Sequence, residues 1–177
     1  FGALTVTTLF FLLFKIRKTD GKLTLPILIL LVISSLIFAY SKSLWSQSVI
    51  AKYFTLNSLL FGLLLISIQQ FAETKKLRFF YLFFLLTGFN ITTHYLSFLV
   101  LPILASWIVI FHWRLLWKKK SSFLFASFFF ILGLSVFLFL PIRARANPPI
   151  NWGNPSTPQA FIAHITRRQF QKSFTSE

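Results

Sequence analysis

Long apolar runs dominate the chain, and the short stretches between them hold most of its charged residues. A helix needs about 17–25 apolar residues to cross the hydrocarbon core of a bilayer, and the first and fourth runs fall below that length. The pattern predicts an all-α fold, a polytopic membrane helix bundle with about six spans. The predicted spans are residues 1–14, 23–40, 54–71, 79–91, 95–113 and 123–140.

The region 79–113 decides the topology, because it contains no Lys, Arg, Asp or Glu. As a single helix it would be about 52 Å long, whereas the hydrocarbon core is about 30 Å thick. We therefore expect a hairpin that turns near residues 90–94 and places both arms in the membrane.

The basic residues then indicate which side of the membrane each connection between spans lies on. The short connections on one face contain only Lys42 and Lys52, and the positive-inside rule makes the opposite, basic face cytoplasmic. The net charge of +15 therefore indicates membrane topology rather than a nucleic-acid partner. The basic residues on the predicted cytoplasmic face are Lys15, Arg17, Lys18, Lys22, Lys75, Lys76, Arg78, Arg114, Lys118, Lys119 and Lys120.

Composition supports a membrane protein and excludes several kinds of site. The chain has 177 residues, of which 56% are hydrophobic and 12% charged. It has no Cys, and its three His and three acidic residues are scattered, so no metal site or cofactor is predicted. It also has no Met, and residue 1 lies inside an apolar run. We therefore expect the sequence to be a piece of a longer protein.

The predicted outer face comprises residues 41–53, the hairpin turn, and everything from Pro141 onward, which we treat as a second region (141–177) after a bundle (1–140). Prolines and Gly153 predict a fixed, non-helical path from Pro141 to Pro155. Arg143 and Arg145 follow a span closely and either bind a lipid-linked phosphate or make general headgroup contacts. Trp152 either stacks on a sugar or anchors the chain at the interface.

A helix is predicted after this loop. Thr157 and Pro158 fit the N-cap and first positions of a helix, and residues 159–170 form an amphipathic pattern. The pattern favours a helix lying on the membrane surface. Recruitment of an anionic, lipid-linked donor by the basic end of this helix is the alternative.

Histidines and carboxylates define what chemistry the outer face can hold. His94 lies in the hairpin turn, where it faces either a substrate cavity or solvent, and His112 and His164 receive no role. Asp20 and Glu73 lie on the predicted cytoplasmic side, and Glu177 is the last residue. A general base is usually a carboxylate or a histidine. If the protein is an enzyme that acts on the outer face, we therefore expect its general base on sequence outside residues 1–177.

Several motifs resemble a known membrane family. They are Leu44-Trp45-Ser46-Gln47, Ala51-Lys52-Tyr53-Phe54-Thr55-Leu56-Asn57, Thr93-His94-Tyr95-Leu96-Ser97, Pro141-Ile142-Arg143-Ala144-Arg145, Asn147-Pro148-Pro149-Ile150-Asn151-Trp152-Gly153 and His164-Ile165-Thr166-Arg167-Arg168-Gln169-Phe170. They are similar to a widespread multi-spanning family, long catalogued as a domain of unknown function. Its animal member is a protein O-mannosyltransferase of the endoplasmic reticulum.

The resemblance implies a C-type glycosyltransferase architecture, with an outer active site that takes a sugar from a polyprenyl-phosphate carrier. It implies substrate-binding roles for His94, Arg143, Arg145, Asn151 and Trp152. Lys52 is a departure, because the family has Glu there, and Phe54 stands at the Tyr position of the same motif. The reversed charge at Lys52 puts a shared mannosyl specificity in doubt.

The predicted function is sugar transfer from a polyprenyl-phosphate donor to an acceptor protein, lipid or glycan on the outer face. The predicted partners are membrane lipids, the donor and the acceptor, without nucleic acid. The protein is predicted to be a multi-pass protein of a bacterial cytoplasmic membrane, or of the endoplasmic reticulum in a eukaryote. A transporter or flippase for lipid-linked sugars, which would have inverted repeats or charges within spans, is the alternative, followed by a noncatalytic scaffold.

Overall fold

The computed structural model describes residues 1–50, 53–94, 97–166 and 168, and the described part is helical, without a strand. The described part also contains a short 3-10 segment, Ser135–Leu138. The predicted all-α helix bundle is confirmed. The helices are α1 (Gly2–Asp20), α2 (Leu25–Ala39), α3 (Lys42–Val49), α4 (Phe54–Thr74), α5 (Leu77–Thr93), α6 (Ser97–Lys118), α7 (Ser121–Leu134), α8 (Phe139–Arg145) and α9 (Pro158–Ile165).

Within the described residues, three helical segments are long and apolar enough to cross a membrane: Phe54–Thr74, Ser97–Lys118 and Ser121–Arg145. A fourth is added if α2 and α3, which meet at a bend of 55°, count as one span. α5 is apolar but has only 17 residues, at the lower limit of a span. The chain is a membrane protein, and the expectation of about six spans stays a prediction.

The predicted interruption of the apolar region 79–113 is confirmed, because α5 ends at Thr93 and α6 begins at Ser97. Three β-branched residues in succession, Ile91, Thr92 and Thr93, weaken the end of α5. His94 then takes an extended conformation, and its N–H donates to the carbonyl of Asn90 at 3.1 Å.

Two expectations about connections were wrong. Lys15, Arg17 and Lys18 were expected in a loop but lie in the last turns of α1. Lys and Arg favour helices, and they interact well with the negative end of the helix dipole. Residues 42–49, expected within a connection, form α3, which Ser41 caps by accepting a hydrogen bond from the Leu44 N–H at 3.3 Å.

A third expectation, a non-helical path from Pro141, was also wrong, because residues 141–145 belong to α8. Pro141 is the third residue of α8, within the first turn, where backbone N–H groups have no partner inside the helix. A proline is therefore tolerated there. The irregular path begins only at Asn147, which has φ 47°, and includes Gly153 (φ 70°) and Asn154 (φ 34°).

The core lies where α5 meets its neighbours. α5 packs most extensively against α7 and then α4, and α1 packs against α4 and α2. Phe71 of α4 and Phe80 and Phe83 of α5 are fully buried. α5 and α7 come closest at two glycines: a Cβ on Gly88 would lie 2.8 Å from the Gly133 Cα and 2.5 Å from the Phe130 carbonyl oxygen.

Contacts divide the chain into two compact units, Phe1–Leu134 and Ser135–Glu177. In the second unit, the predicted start of a helix is confirmed. Thr157 is the N-cap of α9, its Oγ1 accepts from the Ala160 N–H at 3.2 Å, and Pro158 is the first helical residue. The predicted functional division at residue 141 stays a prediction.

Candidate functional site

A cavity of about 500 Å³ lies at the N-terminal end of α4, within the first unit. Its walls come from α2, α3, the first two turns of α4 and the break between α5 and α6, so the bend after α2 and the short α3 shape it. We call it the outer cavity, after the face on which the sequence predicts it. It is lined by Phe38, Ser43, Leu44, Gln47, Phe54, Thr55, Asn57, Ser58, Phe61, His94 and Ser97.

Asn90 fixes the α5–α6 side of this cavity. Its side chain is fully buried, and its Oδ1 accepts a hydrogen bond from the Ser97 hydroxyl at 2.7 Å. The Thr93 hydroxyl lies 2.8 Å from the Asn90 carbonyl oxygen and 2.9 Å from Asn57 Oδ1. It has one proton and donates to one of them at a time. Both Ser97 and Asn57, which line the cavity, are thus tied to the end of α5.

His94 lies between aromatic rings at the edge of the cavity. Its ring centroid is 5.5 Å from that of Tyr53 and 5.9 Å from that of Phe54. Among the described residues that line the cavity, His94 is the only titratable side chain. The cavity therefore combines apolar and aromatic walls with a few amide and hydroxyl groups, and its described lining includes no carboxylate.

Two amide side chains offer unused hydrogen-bonding groups to this space. Gln47 Oε1 is buried and has no hydrogen-bond partner among the described residues. Asn57 is half-buried, and its Oδ1 faces Thr93, which leaves its NH₂ group without an acceptor in the described part of the chain. A ligand rich in hydroxyl groups satisfies both, because a hydroxyl donates to Gln47 and accepts from Asn57.

Sequence reasoning did not assign Gln47, Asn57 or Ser97 to a site, although all three stand in the motifs that carry the family resemblance. For Asn57 and Ser97 the available signal was a polar side chain at the predicted outer end of an apolar run, where it is costly unless it faces a cavity or a partner. Gln47 lies in the connection between two runs and gave no such signal. Their proximity could not be deduced, because it depends on the fold of α3 against α4.

The second unit holds most of the other predicted site residues. Arg143 and Arg145 lie exposed in the last turn of α8. The Asn151 NH₂ group lies 3.3 Å from the Ala144 carbonyl and 3.1 Å from Asn154 Oδ1, so Asn151 ties the loop to the end of α8. Trp152 is 69% exposed. Lys52 lies outside the described residues, as do Arg167 and Gln169 of the predicted surface helix.

Comparison with known proteins identifies the family. The family model of the protein O-mannosyl-transferase TMEM260 N-terminal domain matches residues 1–118. The chain belongs to this family. The match includes every lining residue of the outer cavity and ends before Arg143. It confirms the resemblance to an animal O-mannosyltransferase that the motifs indicated.

Mouse protein O-mannosyl-transferase TMEM260 is 23% identical to this chain over an alignment of 178 positions. The alignment covers 96% of this chain and 24% of the mouse protein. The chain thus spans about a quarter of the length of this TMEM260 relative. No solved structure matches the chain.

Proposed function

We propose that the chain forms part of a membrane glycosyltransferase, which transfers a sugar from a polyprenyl-phosphate donor to an acceptor on the outer face. The observation that carries the proposal is the outer cavity, a space of about 500 Å³ with amide, hydroxyl and aromatic groups on its walls. It falls within the residues that match a family named for O-mannosyl transfer. Its volume is in the range of small-molecule sites.

The chemistry of the cavity suits a sugar better than a phosphate. Sugar hydroxyls both donate and accept, and so do the side chains of Gln47, Asn57 and Ser97. The rings of Phe54 and Phe61 provide apolar faces for the C–H face of a sugar ring. A phosphate is usually bound by Lys or Arg, and the described lining residues include neither.

The proposed reaction is a displacement at the anomeric carbon of the sugar. The acceptor oxygen forms a bond to that carbon, the bond from the carbon to the phosphate oxygen breaks, and polyprenyl phosphate leaves with the electron pair. The hydroxyl proton passes to a general base. Arg143 and Arg145, in the second unit, are proposed separately to bind a lipid-linked phosphate, with Asn151 and Trp152 in the loop that follows them.

Replacing the cavity amides tests the sugar-binding role. We expect Asn57→Ala and Gln47→Ala each to lower kcat/KM for transfer by about tenfold, because each removes a hydrogen bond to the sugar. Transfer is measured on the protein in liposomes, with polyprenyl-phosphate mannose and polyprenyl-phosphate glucose as alternative donors. Gln70→Ala is the matched control, since Gln70 lies at the opposite end of α4, beside Glu73. Equal activity of Asn57→Ala and wild type would contradict the role.

Replacing both arginines tests donor binding. We expect Arg143→Ala combined with Arg145→Ala to raise the donor KM by about 10–100-fold, because charge-assisted hydrogen bonds to phosphate are lost, while membrane insertion is retained. Arg78→Ala is the control, because its guanidinium lies over the Phe79 ring on the predicted cytoplasmic face. If neither donor yields product but labelled lipid crosses the bilayer, the protein is a flippase and the proposed transfer is wrong.

A further inference from the structure

A second cavity lies at the other end of α4, in the same unit as the outer cavity. It has a volume of about 510 Å³ and is lined by Lys75, at the end of α4, and by residues of α6: Ile110, Phe111, His112, Trp113, Arg114 and Leu115. The lining of the outer cavity extends along α4 as far as Phe61, so the two cavities are about 20 Å apart along this helix. We infer that this inner cavity binds a phosphate group, supplied by an anionic lipid headgroup, through Lys75, His112 and Arg114.

The backbone departs from helical geometry at two residues that line the inner cavity, one on each wall. α6 kinks at His112, whose φ of −120° and ψ of 16° are not helical. Lys75 ends α4 in the left-handed conformation, with φ 57°, which a residue with a side chain adopts at a cost. The two irregular residues meet, because Lys75 Nζ lies 3.3 Å from His112 Nδ1.

This contact determines which nitrogen of His112 carries the proton. An ammonium group only donates hydrogen bonds, so Nδ1 must accept, and the ring proton is on Nε2. Nε2 is buried and has no hydrogen-bond partner among the described residues. A buried N–H without an acceptor is costly, and a phosphate oxygen supplies an acceptor.

The charges around the inner cavity favour the same ligand. Lys75 contributes an ammonium, and Arg114 contributes a guanidinium that can bind phosphate through two hydrogen bonds. The described residues that line this cavity include no carboxylate. The nearby Glu73 is paired with Lys15 at 3.3 Å. Neither Lys75 nor Arg114 forms an ion pair in the part of the chain that the structure describes.

The surroundings place the inner cavity at headgroup depth. Trp113 and Trp117 are exposed and stack with their centroids 4.5 Å apart, and the Lys120 ammonium lies 5.5 Å from the Trp117 ring. Exposed tryptophans next to lysines are typical of the membrane interface. A phospholipid headgroup therefore reaches the cavity from the bilayer itself, whereas free phosphate would enter from the aqueous side.

Native mass spectrometry in detergent tests the inference, with phosphatidylglycerol as the probe and phosphatidylcholine as the zwitterionic reference. We expect wild type to retain one phosphatidylglycerol preferentially, and Lys75→Gln combined with Arg114→Gln to weaken this binding at least about tenfold. Lys118→Gln combined with Lys119→Gln removes the same charge from the same face. It is expected to weaken binding less than about threefold. An equal loss in both double variants would show general surface attraction and overturn the inference.

A histidine variant separates ligand binding from ring packing. His112→Phe keeps a ring against Phe71, whose centroid lies 5.0 Å from that of His112, but removes the Nε2 donor. We expect it to weaken phosphatidylglycerol binding about fivefold, which corresponds to the loss of one hydrogen bond. Binding equal to wild type would show that the N–H serves only the aromatic contact, and would remove His112 from the site.

A competition experiment identifies the source of the phosphate. Millimolar inorganic phosphate and soluble glycerol phosphate are added to the wild-type complex with phosphatidylglycerol. We expect neither to displace the lipid. Displacement by either would show a site for free phosphate and overturn the lipid assignment. Because Lys75, His112 and Arg114 lie outside the outer cavity, the result is independent of any test of sugar transfer.

Discussion

Replacing Gly88 or Gly133 by leucine is expected to separate α5 from α7 and to abolish a stable folded protein. A Cβ on Gly133 would contact the Leu85 carbonyl oxygen and lie 2.9 Å from the Gly88 Cα. These neighbours are backbone atoms, which cannot move aside as a flexible side chain does. Alanine at either position is expected to cost about 1–3 kcal/mol through overpacking, and leucine more. Thermal unfolding of the purified protein, followed by size-exclusion chromatography, measures the loss.

Gly21→Ala is the control for these glycine variants. A Cβ on Gly21 would lie 3.8 Å from the Arg17 guanidinium, which is ordinary van der Waals contact. The φ of Gly21, 168°, is extended backbone that alanine also adopts. We expect a change within about 0.5 kcal/mol. If Gly133→Leu unfolds at the wild-type temperature, α5 and α7 do not approach each other as described.

Asn90→Asp is expected to give the next largest loss of stability. The side chain is fully buried, and Asn90 Nδ2 has no hydrogen-bond partner in the described part of the chain. Among the described side chains, a carboxylate there would receive a hydrogen bond from the Ser97 hydroxyl but would have no counter-charge, so we expect a cost of about 3–5 kcal/mol. Asn90→Leu, which leaves the Ser97 hydroxyl unpaired, is expected to cost about 1–3 kcal/mol. Unfolding in denaturant measures both variants.

Thr87→Val is the matched control for Asn90. Thr87 is also buried in α5, but its hydroxyl donates only within the helix, to the Phe83 carbonyl at 2.8 Å. Its replacement is expected to change stability by less than about 1 kcal/mol. Asn90→Leu is also expected to lower sugar transfer, since Ser97 lines the outer cavity. Similar results for Thr87→Val and Asn90→Asp would show that Asn90 does not hold α5 to α6.

Local features of the chain were predictable wherever neighbouring residues determine them. The interruption between α5 and α6 follows from the length of the apolar region, and the cap of α9 follows from Thr157 and Pro158. The path after Pro141 was predicted wrongly, because a proline in the first turn of a helix does not prevent that helix. The position of a proline within its element matters more than its presence.

Long-range contacts account for what the sequence did not reveal. Gly88 and Gly133 are ordinary glycines in apolar runs until α5 and α7 are placed side by side. Gln47 and Asn57 belong to different helices and line the same cavity because α3 turns away from α2. Most of the predicted site residues are charged, aromatic or titratable side chains, which are recognisable in a sequence. The missed residues are amides and a hydroxyl, whose role depends on where the fold places them. Lys52, the main departure from the family motif, lies outside the described residues.

α3 is held to the rest of the bundle by few buried side chains, and this affects access to the outer cavity. Leu44 is the only buried side chain within Lys42–Val49, whereas α4, on the opposite wall, buries residues along its whole length. Segments with few buried contacts open locally at a lower free energy than the core. We therefore expect α3 to unfold locally before the other walls of the cavity. Its amide hydrogens should exchange with solvent faster than those of α4. Opening of this one short helix would expose the outer cavity without unfolding the rest of the helix bundle.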